Sequence, residues 1–272
     1  MHITKLFRNF FIACVAMFGI SFIYRTFKKK SGPLVRVLVF HDVQNAKWFK
    51  ESVTFLVQKY HVISPEDFMH NRFDRGRINV LFTFDDGYTS WNDVCVPILR
   101  EQNIQALFFI NSGLVDVYGD RERQEKYVKN KLKLSSLHTT ISWNGVKELL
   151  NTGHTIGGHT INHTRLSELR KKMQQDEIKC DKERIEKMIE KQIFLFAYPF
   201  GQQSDYTEDS EVFVKGVGYT YAFTTEGVFA NQNESCRVSR LCIEDFQSRT
   251  SITNWIEGGY DVYRKLKSLC VR

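Results

Sequence analysis

The sequence predicts an α/β fold, an incomplete barrel of the (β/α)7 type that follows an N-terminal membrane anchor. Strand-like and helix-like segments alternate along the chain, which is the pattern of a parallel sheet whose strands are joined by crossover helices. About seven such units fit into 272 residues, the size of one sheet-containing domain. Polar residues follow several of the predicted strands, at the edge where barrels of this kind build their active sites.

Residues 1–30 form the predicted anchor with its basic collar, and residues 31–272 form one folded domain. Residues 10–24 contain no charge and are flanked by basic residues. A helix of that length spans about 22 Å, short of a hydrocarbon core of about 30 Å. If the flanking basic side chains extend toward the lipid headgroups, the residues that carry them can also lie within the membrane. The segment is then about 25 residues long, which is enough to span the hydrocarbon core. No small-x-small cleavage site follows, so we expect an uncleaved single-pass anchor, whose orientation the balanced flanking charges leave open.

The formal net charge of +7 at first suggests an acidic partner such as nucleic acid. Six basic residues and no acidic residue lie in residues 1–30, so residues 31–272 carry only +1. A nearly neutral domain is a poor match for a phosphate backbone. We therefore expect no nucleic-acid partner.

Hydrophobic runs and helical periodicity predict the order of elements in the domain. Predicted strands cover residues 34–40, 80–84, 106–110, 155–157, 193–198, 219–224 and 238–243. Predicted helices cover residues 46–60, 91–102, 142–150 and 166–189. Residues 119–134 are highly charged and have little apolar face, so we predict an insertion on the surface there.

Two histidines four residues apart, His159 and His163, follow the fourth predicted strand. On a helical turn both rings would face one direction and could share a metal ion. The zinc-protease pattern needs a glutamate directly after the first histidine, but Thr160 stands there, so any general base must come from elsewhere. The pair alone is weak evidence, because ordinary surface or core histidines occur at the same spacing.

Two adjacent aspartates, Asp85 and Asp86, end the second predicted strand and are followed by Gly87. A turn with a capping aspartate is the common alternative. Neighbouring side chains on an extended segment point in different directions, so one carboxylate can bind a metal ion while the other addresses a water. Two neutral imidazoles and one carboxylate leave a coordination position open, which is typical of catalytic zinc. The two motifs together therefore predict a catalytic metal site.

The motifs T-F-D-D-G at 83–87, H-T-x-x-H at 159–163 and Y-P-F-G at 198–201 resemble those of the polysaccharide deacetylases, the NodB-type carbohydrate esterases. The resemblance covers roughly residues 34–245. It implies that the domain adopts the NodB-like barrel of that family.

The resemblance also implies roles for individual residues. Asp86, His159 and His163 resemble the family's metal ligands, with Zn²⁺ or another divalent ion such as Co²⁺ as the cofactor. Asp85 resembles the general base toward the attacking water, and Phe200 stands where the family uses a backbone N–H to hold the oxyanion. The physical logic agrees, because an amide carbonyl is a poor electrophile that needs polarisation and a preorganised oxyanion site.

The chain departs from the family pattern at the general acid. Many members supply it from a histidine near the C-terminal end, but no histidine follows His163 here. A circularly permuted subset, which resembles the poly-N-acetylglucosamine deacetylases, carries a Y-H element at the first strand, and F-H-D-V at 40–43 fits that element. We therefore predict that His41 is the general acid; the alternative is a histidine bonded into the end of the barrel. Asp42 either holds the His41 ring or caps a turn.

A second departure concerns the arginine that orients the catalytic aspartate in many members, because Ala197 stands at that position. Arg240, at the end of a late strand, is a candidate for supplying this charge from another direction. The alternative is a surface arginine that pairs with Glu244. The other histidines of the domain are expected at surface or loop positions: His61, His70, His138 and His154.

The function implied by the resemblance is hydrolysis of N-acetyl groups on amino sugars of a surface polysaccharide or its lipid-linked precursor, which yields acetate and a free amine. The implied location is a bacterial inner membrane, with residues 31–272 as the catalytic domain on the periplasmic or extracellular side. One alternative is a barrel that binds or organises carbohydrate without turnover, which the missing C-terminal histidine and Ala197 motivate. Four ionisable residues argue against it: Asp85, Asp86, His159 and His163. The other alternative is a hydrolase that acts on O-acetyl or formamide groups.

Overall fold

The computed structural model describes residues 2–135, 138–231 and 233–270. The strands are β1 Val35–Phe40, β2 His61–Val62, β3 Asn79–Asp86, β4 Leu107–Ile110, β5 Thr155–Gly158, β6 Leu195–Ala197, β7 Tyr221–Thr224 and β8 Val238–Cys242. The α-helices are α1 His2–Met17, α2 Ile20–Lys29, α3 Ala46–Lys59, α4 Pro65–Met69, α5 Val96–Glu101, α6 Ser112–Val115, α7 Arg121–Tyr127, α8 Trp143–Asn151, α9 Lys171–Ile189, α10 Glu208–Gly216, α11 Arg249–Asn254 and α12 Tyr260–Cys270. Shorter helical turns are the π-helical Trp91–Cys95, Val128–Leu132 and Trp255–Gly259 and the 3₁₀ turn Leu166–Glu168.

Seven parallel strands of the described chain close into a barrel, in the order β1, β3, β4, β5, β6, β7 and β8. The sequence predicts an incomplete barrel, and the closed ring corrects this prediction. The reason is that β1 is paired along both edges, with β3 from Val35↔Asn79 to Phe40↔Phe84 and with β8 on the other side. The short strand β2 pairs with the beginning of β3 outside the ring.

Alternation of side chains along the strands divides the core into two layers. The inner cluster, which fills the barrel, includes Val37, Leu81, Phe109, Phe223 and Val238. The outer cluster, between the strands and the helices, includes Leu38, Phe82, Phe108, Phe196 and Leu241. Asp85 and Arg240 lie at inner positions of β3 and β8, because each is an even number of residues after an inner hydrophobic residue of its strand.

The N-terminal apolar segment is divided into two helices rather than one. The sequence predicts a continuous spanning helix, but α1 and α2 are bent by 73° at a break that contains Gly19, whose φ is +71°. Within the described chain no single helix is long and apolar enough to cross a membrane; the bent pair passes that criterion of length and composition only when its two parts are taken together. The spanning anchor stays a prediction.

Both N-terminal helices pack against the C-terminal part of the domain. Ile12 is buried beside Gly259, where an added Cβ would come within 2.8 Å of the Ile12 side chain. Arg25 Nη1 lies 2.6 Å from Glu257 Oε2. Removal of residues 1–30 would therefore expose apolar surface of the domain that α1 and α2 bury. The experiments proposed below use the full chain for this reason.

Two predicted segments differ in detail from the structure. The charged segment 119–134 forms α7 and a π-helical turn, and its last residues, Leu132 and Leu134, line the cavity described below instead of lying free on the surface. The predicted helix 166–189 is interrupted, because Leu169 and Arg170 have extended backbones and α9 begins only at Lys171.

His154 lies in the loop between α8 and β5, as expected, but its side chain is buried. Its Nδ1 accepts a hydrogen bond from the Ala106 N–H at 3.1 Å, and its ring lies 5.2 Å from the ring of Phe108. Burial, with a smaller contribution from Arg100, lowers the pKa of His154 from 6.5 to about 4. The unfolded chain therefore binds a proton at His154 at a higher pH than the folded chain does.

This pKa shift predicts a loss of stability as the pH falls. Because the pKa in the folded state is depressed, the free energy of unfolding should decrease between the unfolded pKa of 6.5 and the folded pKa of about 4. His154→Asn keeps an oxygen near the position of Nδ1 but removes the titration. Urea unfolding should show that the parent loses roughly 2 kcal/mol more than this variant between about pH 7.5 and about pH 5. An equal loss in both proteins would contradict the assignment.

Candidate active site

The predicted site residues converge at the carboxyl ends of the barrel strands. A cavity of about 300 Å³ lies there, and its walls include His41, Asp85, Asp86, His159, His163 and Phe200. Arg240 does not line the cavity but contacts it from inside the barrel through Asp85. The structure thus brings together all seven predicted site residues.

Asp86 ends β3 with a φ of +87°, a strained conformation for a residue that carries a side chain. On a regular strand Asp85 and Asp86 would point to opposite faces, whereas here both reach the cavity. Tyr88 donates a hydrogen bond to Asp86 Oδ2 at 2.6 Å. The second oxygen, Oδ1, is buried and has no hydrogen-bond partner among the described residues. An unpartnered buried carboxylate oxygen is costly, so a ligand for it is expected.

Asp86 Oδ1 lies near the Nε2 atoms of both motif histidines, 3.7 Å from His159 and 3.5 Å from His163. These distances are longer than ordinary hydrogen bonds. The candidate ligand atoms of the three residues all lie within 4.8 Å of one another. Two imidazoles and one carboxylate at this spacing fit one Zn²⁺ or a similar divalent ion.

The backbone between the two histidines is an irregular bend, which corrects the predicted helical turn. Thr160 and His163 have φ values of +65° and +49°. Asn111 Nδ2 donates hydrogen bonds to the carbonyls of His159 and Thr160, and Asp181 accepts one from the His159 N–H at 3.0 Å. Hydrogen bonds to the bend, rather than helical spacing, therefore direct both rings to Asp86.

The two histidine rings are held in the neutral state that metal binding requires. His159 Nδ1 lies 2.7 Å from the Ala197 carbonyl oxygen, so Nδ1 carries the hydrogen and Nε2 presents its lone pair to the cluster. Burial lowers the pKa of His159 to about 4, although the nearby Asp85 opposes this shift. Burial likewise lowers the pKa of His163. Protons therefore do not compete strongly with a metal ion at neutral pH.

Asp85 forms a bidentate pair with Arg240 inside the barrel. Arg240 Nη1 and Nη2 lie 2.6 and 2.7 Å from the two carboxylate oxygens, and both side chains are buried. Burial raises the pKa of Asp85, but the charge of the adjacent Arg240 outweighs it, so the pKa lies below its ordinary value. Because Arg240 is buried in the barrel, the alternative of a surface arginine does not apply.

Arg240→Met should leave Asp85 buried without its cation. The expected result is a loss of about 3–5 kcal/mol in the free energy of unfolding, because an uncompensated buried charge is strongly destabilising. Any turnover should fall about 10²-fold, since the carboxylate loses its fixed orientation. Urea unfolding and product release measure the two effects. Arg240→Lys keeps the charge without the bidentate geometry and should lie between the parent and Arg240→Met; parent-like behaviour of Arg240→Met would contradict the orienting role.

Phe200 lies at the cavity wall on a tight turn. Its φ is +61°, its carbonyl accepts a hydrogen bond from Thr225 Oγ1 at 2.6 Å, and its ring lies 4.6 Å from the ring of His163. An added Cβ at Gly201 would lie 2.9 Å from the Thr225 nitrogen, so the turn needs glycine there. The turn brings the Phe200 backbone beside the metal-ligand candidates, and its role as oxyanion donor stays a prediction.

His41 reaches the cavity, but Asp42 does not hold its ring. Asp42 Oδ1 accepts a hydrogen bond from Ser90 Oγ at 2.6 Å, and Oδ2 lies 2.6 Å from His138 Nδ1. The structure therefore supports neither alternative for Asp42, which was expected to hold the His41 ring or to cap a turn. Asp42 instead pairs with His138. His138 lies in a loop, as expected, and it lines the same cavity.

Four residues that contact the predicted site residues or line the cavity were not predicted from the sequence, for two different reasons. Tyr88 and Asn111 lie directly after β3 and β4, so the rule that polar residues after strands face the site would have found them. Asp181 and His138 come from a long helix and a loop, and no local pattern connects them with the motifs. Only the tertiary structure brings these two to the site.

A larger cavity of about 700 Å³ lies at the opposite end of the barrel, where strands begin. Its walls include Tyr60, His61, Arg77, Arg100 and His154. Within the described chain, the cluster of potential metal ligands is the one at Asp86. We therefore expect catalysis in the smaller cavity, which contains this cluster.

Comparison with known families agrees with the predicted resemblance. Residues 74–222 match the family model described as polysaccharide deacetylase. YxkH of Bacillus subtilis (strain 168), provisionally named as a polysaccharide deacetylase, is 28% identical over 156 residues, which are 57% of this chain. The match covers 47% of YxkH, so the chain spans about half the length of that relative.

Two solved structures share the fold. The Streptococcus pyogenes deacetylase PplD in complex with acetate superposes with a TM-score of 0.67 at 19% identity, over 82% of this chain and 98% of that one. IcaB from Ammonifex degensii superposes with a TM-score of 0.66 at 21% identity, over 83% of this chain and 98% of that one. At these identities the likeness establishes the NodB-like barrel and not the substrate.

Proposed function

Because the chain belongs to the polysaccharide deacetylase family, we propose that it hydrolyses N-acetyl groups on amino sugars of a surface polysaccharide or its lipid-linked precursor. The products are acetate and a free amine. One observation carries the proposal: Asp86 Oδ1 is buried without a hydrogen-bond partner in the described chain, near two neutral imidazoles and beside the Asp85–Arg240 pair. A barrel that only binds carbohydrate has no physical need for this costly arrangement.

The residues fit a divalent metal cofactor, and Zn²⁺ is proposed from the ligand types, with Co²⁺ as an alternative. Asp86, His159 and His163 would hold the ion. When bound, it supplies Lewis acidity that polarises an amide carbonyl and lowers the pKa of a water. Tyr88 and the Ala197 carbonyl orient the ligands, since each fixes the second polar atom of a ligand side chain.

Three further residues would act on the substrate: two transfer protons, and the third stabilises the oxyanion. Asp85, ionised and fixed by Arg240, accepts a proton from the water that attacks the carbonyl carbon. The Phe200 backbone N–H stabilises the negative oxygen that develops on the former carbonyl. His41 donates a proton to the nitrogen as the C–N bond breaks, and the released amine and acetate complete the balance.

The role of His41 has its own test. His41→Ala should lower the rate of acetate release about 10²-fold, because amines leave poorly without a proton. The effect should be much smaller on an O-acetyl sugar, since an alkoxide leaves more readily than an amide anion. Equal loss on both substrates, or no loss on either, would remove His41 from this role.

A substrate panel separates the proposed reaction from its alternatives. The metal-loaded full chain is offered N-acetylated, N-formylated and O-acetylated sugar oligomers, and both the acid and the exposed amine are quantified. Equal amounts of acetate and amine from the N-acetylated oligomer support the proposal. Release only from another panel member supports the alternative deacylase, and oligomer binding without any release supports the non-catalytic barrel.

We also propose that the N-terminal helices attach the protein to a bacterial inner membrane, with the catalytic domain on the periplasmic or extracellular side. The support is an exposed apolar face, including Phe10, Phe22 and Phe27, beside a basic end of α2. The full chain should float with vesicles that contain anionic lipid, and Phe10→Asp/Phe22→Asp should abolish flotation. Val212→Asp, at another exposed apolar residue, is the matched control. Flotation that persists in the double variant would contradict this attachment.

A further inference from the structure

Besides the metal-ligand candidates His159 and His163, two further histidines line the cavity, His41 and His138, and their surroundings differ. His41 lines the cavity together with Asp85 and His163, so it lies near the reacting centre. The partner of His138 Nδ1 is Asp42 at 2.6 Å, and the His138 ring lies 5.6 Å from the ring of Tyr88. His138 therefore belongs to the wall of the cavity beyond the metal-ligand candidates.

The Asp42–His138 pair is held from more than one side. Ser90 Oγ donates to Asp42 Oδ1 at 2.6 Å and accepts a hydrogen bond from the Val43 N–H at 3.1 Å. Burial raises the pKa of Asp42, but hydrogen bonds from His138, Ser90 and Gln44 outweigh it, so the pKa lies below its ordinary value. The side chains of His138 and Asp42 are 11% and 16% exposed. The pair is thus a charged, preorganised hydrogen-bonding group that is largely withdrawn from water but still reaches the cavity.

Apolar side chains complete this part of the wall. Leu132 and Leu134, from the segment just before His138, line the cavity together with Tyr88. A sugar ring has apolar C–H faces and a polar rim of hydroxyl groups. A wall that combines leucine and tyrosine side chains with one rigid polar pair matches both parts of such a ligand.

We propose that the Asp42–His138 pair binds a hydroxyl group of the substrate sugar and so positions the acetylated sugar at the metal-ligand cluster. The inference rests on the proposed function and adds the residues that recognise the pyranose ring. A hydroxyl can both donate to and accept from such a pair, because imidazole and carboxylate supply both kinds of partner. His138 is a positioning residue, whereas His41 remains the proton donor.

The test measures sugar binding separately from turnover. Binding of an N-acetylglucosamine tetramer to the full chain in detergent is measured by calorimetry in the catalytically impaired Asp85→Asn background, with and without His138→Ala. Loss of one hydrogen bond to the sugar should raise Kd about tenfold. His138→Gln, which can still hydrogen bond, should recover part of the affinity. His70→Ala, at an exposed histidine remote from the cavity, should leave Kd unchanged.

Turnover of His138→Ala with intact Asp85 provides the second readout. The expected result is a raised KM, a kcat within about threefold of the parent, and an unchanged pH profile of kcat, because the proton transfers are intact. An unchanged Kd, or a kcat that falls with an altered pH profile, would overturn the positioning role. If the parent releases no acetate, the proposed function fails, whereas the Kd comparison still decides whether the pair contacts the sugar. Circular dichroism confirms that each variant is folded.

Discussion

Replacing Asp85 by asparagine should lower acetate release about 10³-fold while the bound metal is retained. Asparagine has nearly the same shape but cannot accept a proton, and removal of a positioned general base costs about 10²–10⁴-fold. The variant also loses one of the two hydrogen bonds from Arg240. One carboxylate oxygen, which accepts a hydrogen bond from the guanidinium group, becomes an NH2 group, which cannot accept one. Acetate release and metal content, measured on the same preparation, give the two readouts.

The matched control for this change is Asp93→Asn. Asp93 is exposed and remote from the described cavity lining, so its replacement should leave acetate release unchanged. If Asp85→Asn retained turnover close to the parent, another group would have to accept the proton, and the assignment of Asp85 would be wrong.

Replacing His159 by glutamine should weaken zinc binding by about 10²-fold or more and abolish metal-dependent turnover. His159 Nε2 is one of three candidate ligand atoms, and its Nδ1 is fixed by the Ala197 carbonyl, so glutamine cannot reproduce the ring geometry. Zinc should also stabilise the parent against heat by about 2.7 kcal/mol when its free concentration is about 100 times Kd. The variant should show little of this stabilisation.

Competition with a chromophoric chelator measures zinc affinity, and thermal unfolding with and without zinc measures the linked stability. His70→Gln is the control, because His70 is exposed and its ring nitrogen contacts only a nearby helical carbonyl among the described hydrogen bonds. Unchanged zinc affinity in His159→Gln would place the metal elsewhere and remove the proposed cluster.

The sequence predicted most of the barrel, because burial on both faces of parallel strands leaves continuous hydrophobic runs such as residues 34–40 and 106–110. Closure of the barrel was not predictable from these runs. It depends on the pairing of β1 with β3 on one edge and with β8, about 200 residues later, on the other, and no local pattern encodes which edges meet. The break at Gly19 was missed for a related reason, since an isolated glycine is tolerated within a helix and only its positive φ here ends α1.

Site residues that belong to local sequence motifs could be predicted. Site residues that only tertiary contacts bring to the cavity could not. Asp85, Asp86, His159 and His163 are adjacent or four residues apart, so their spacing reveals them. The Arg240–Asp85 pair joins two strands far apart in the chain, and it could be named only as a candidate. His138 had no signal at all, because its partner Asp42 lies 96 residues earlier and the intervening strands bring the two together.

The most direct test of the account is a titration of the metal-free full chain with zinc while acetate release from an N-acetylglucosamine oligomer is recorded. We expect release to rise with added zinc, to saturate at one equivalent and to be matched by an equal amount of free amine. Zinc that binds at one equivalent without any acetate release, or release that does not depend on zinc, would contradict a metal-dependent deacetylase site formed by Asp86, His159 and His163.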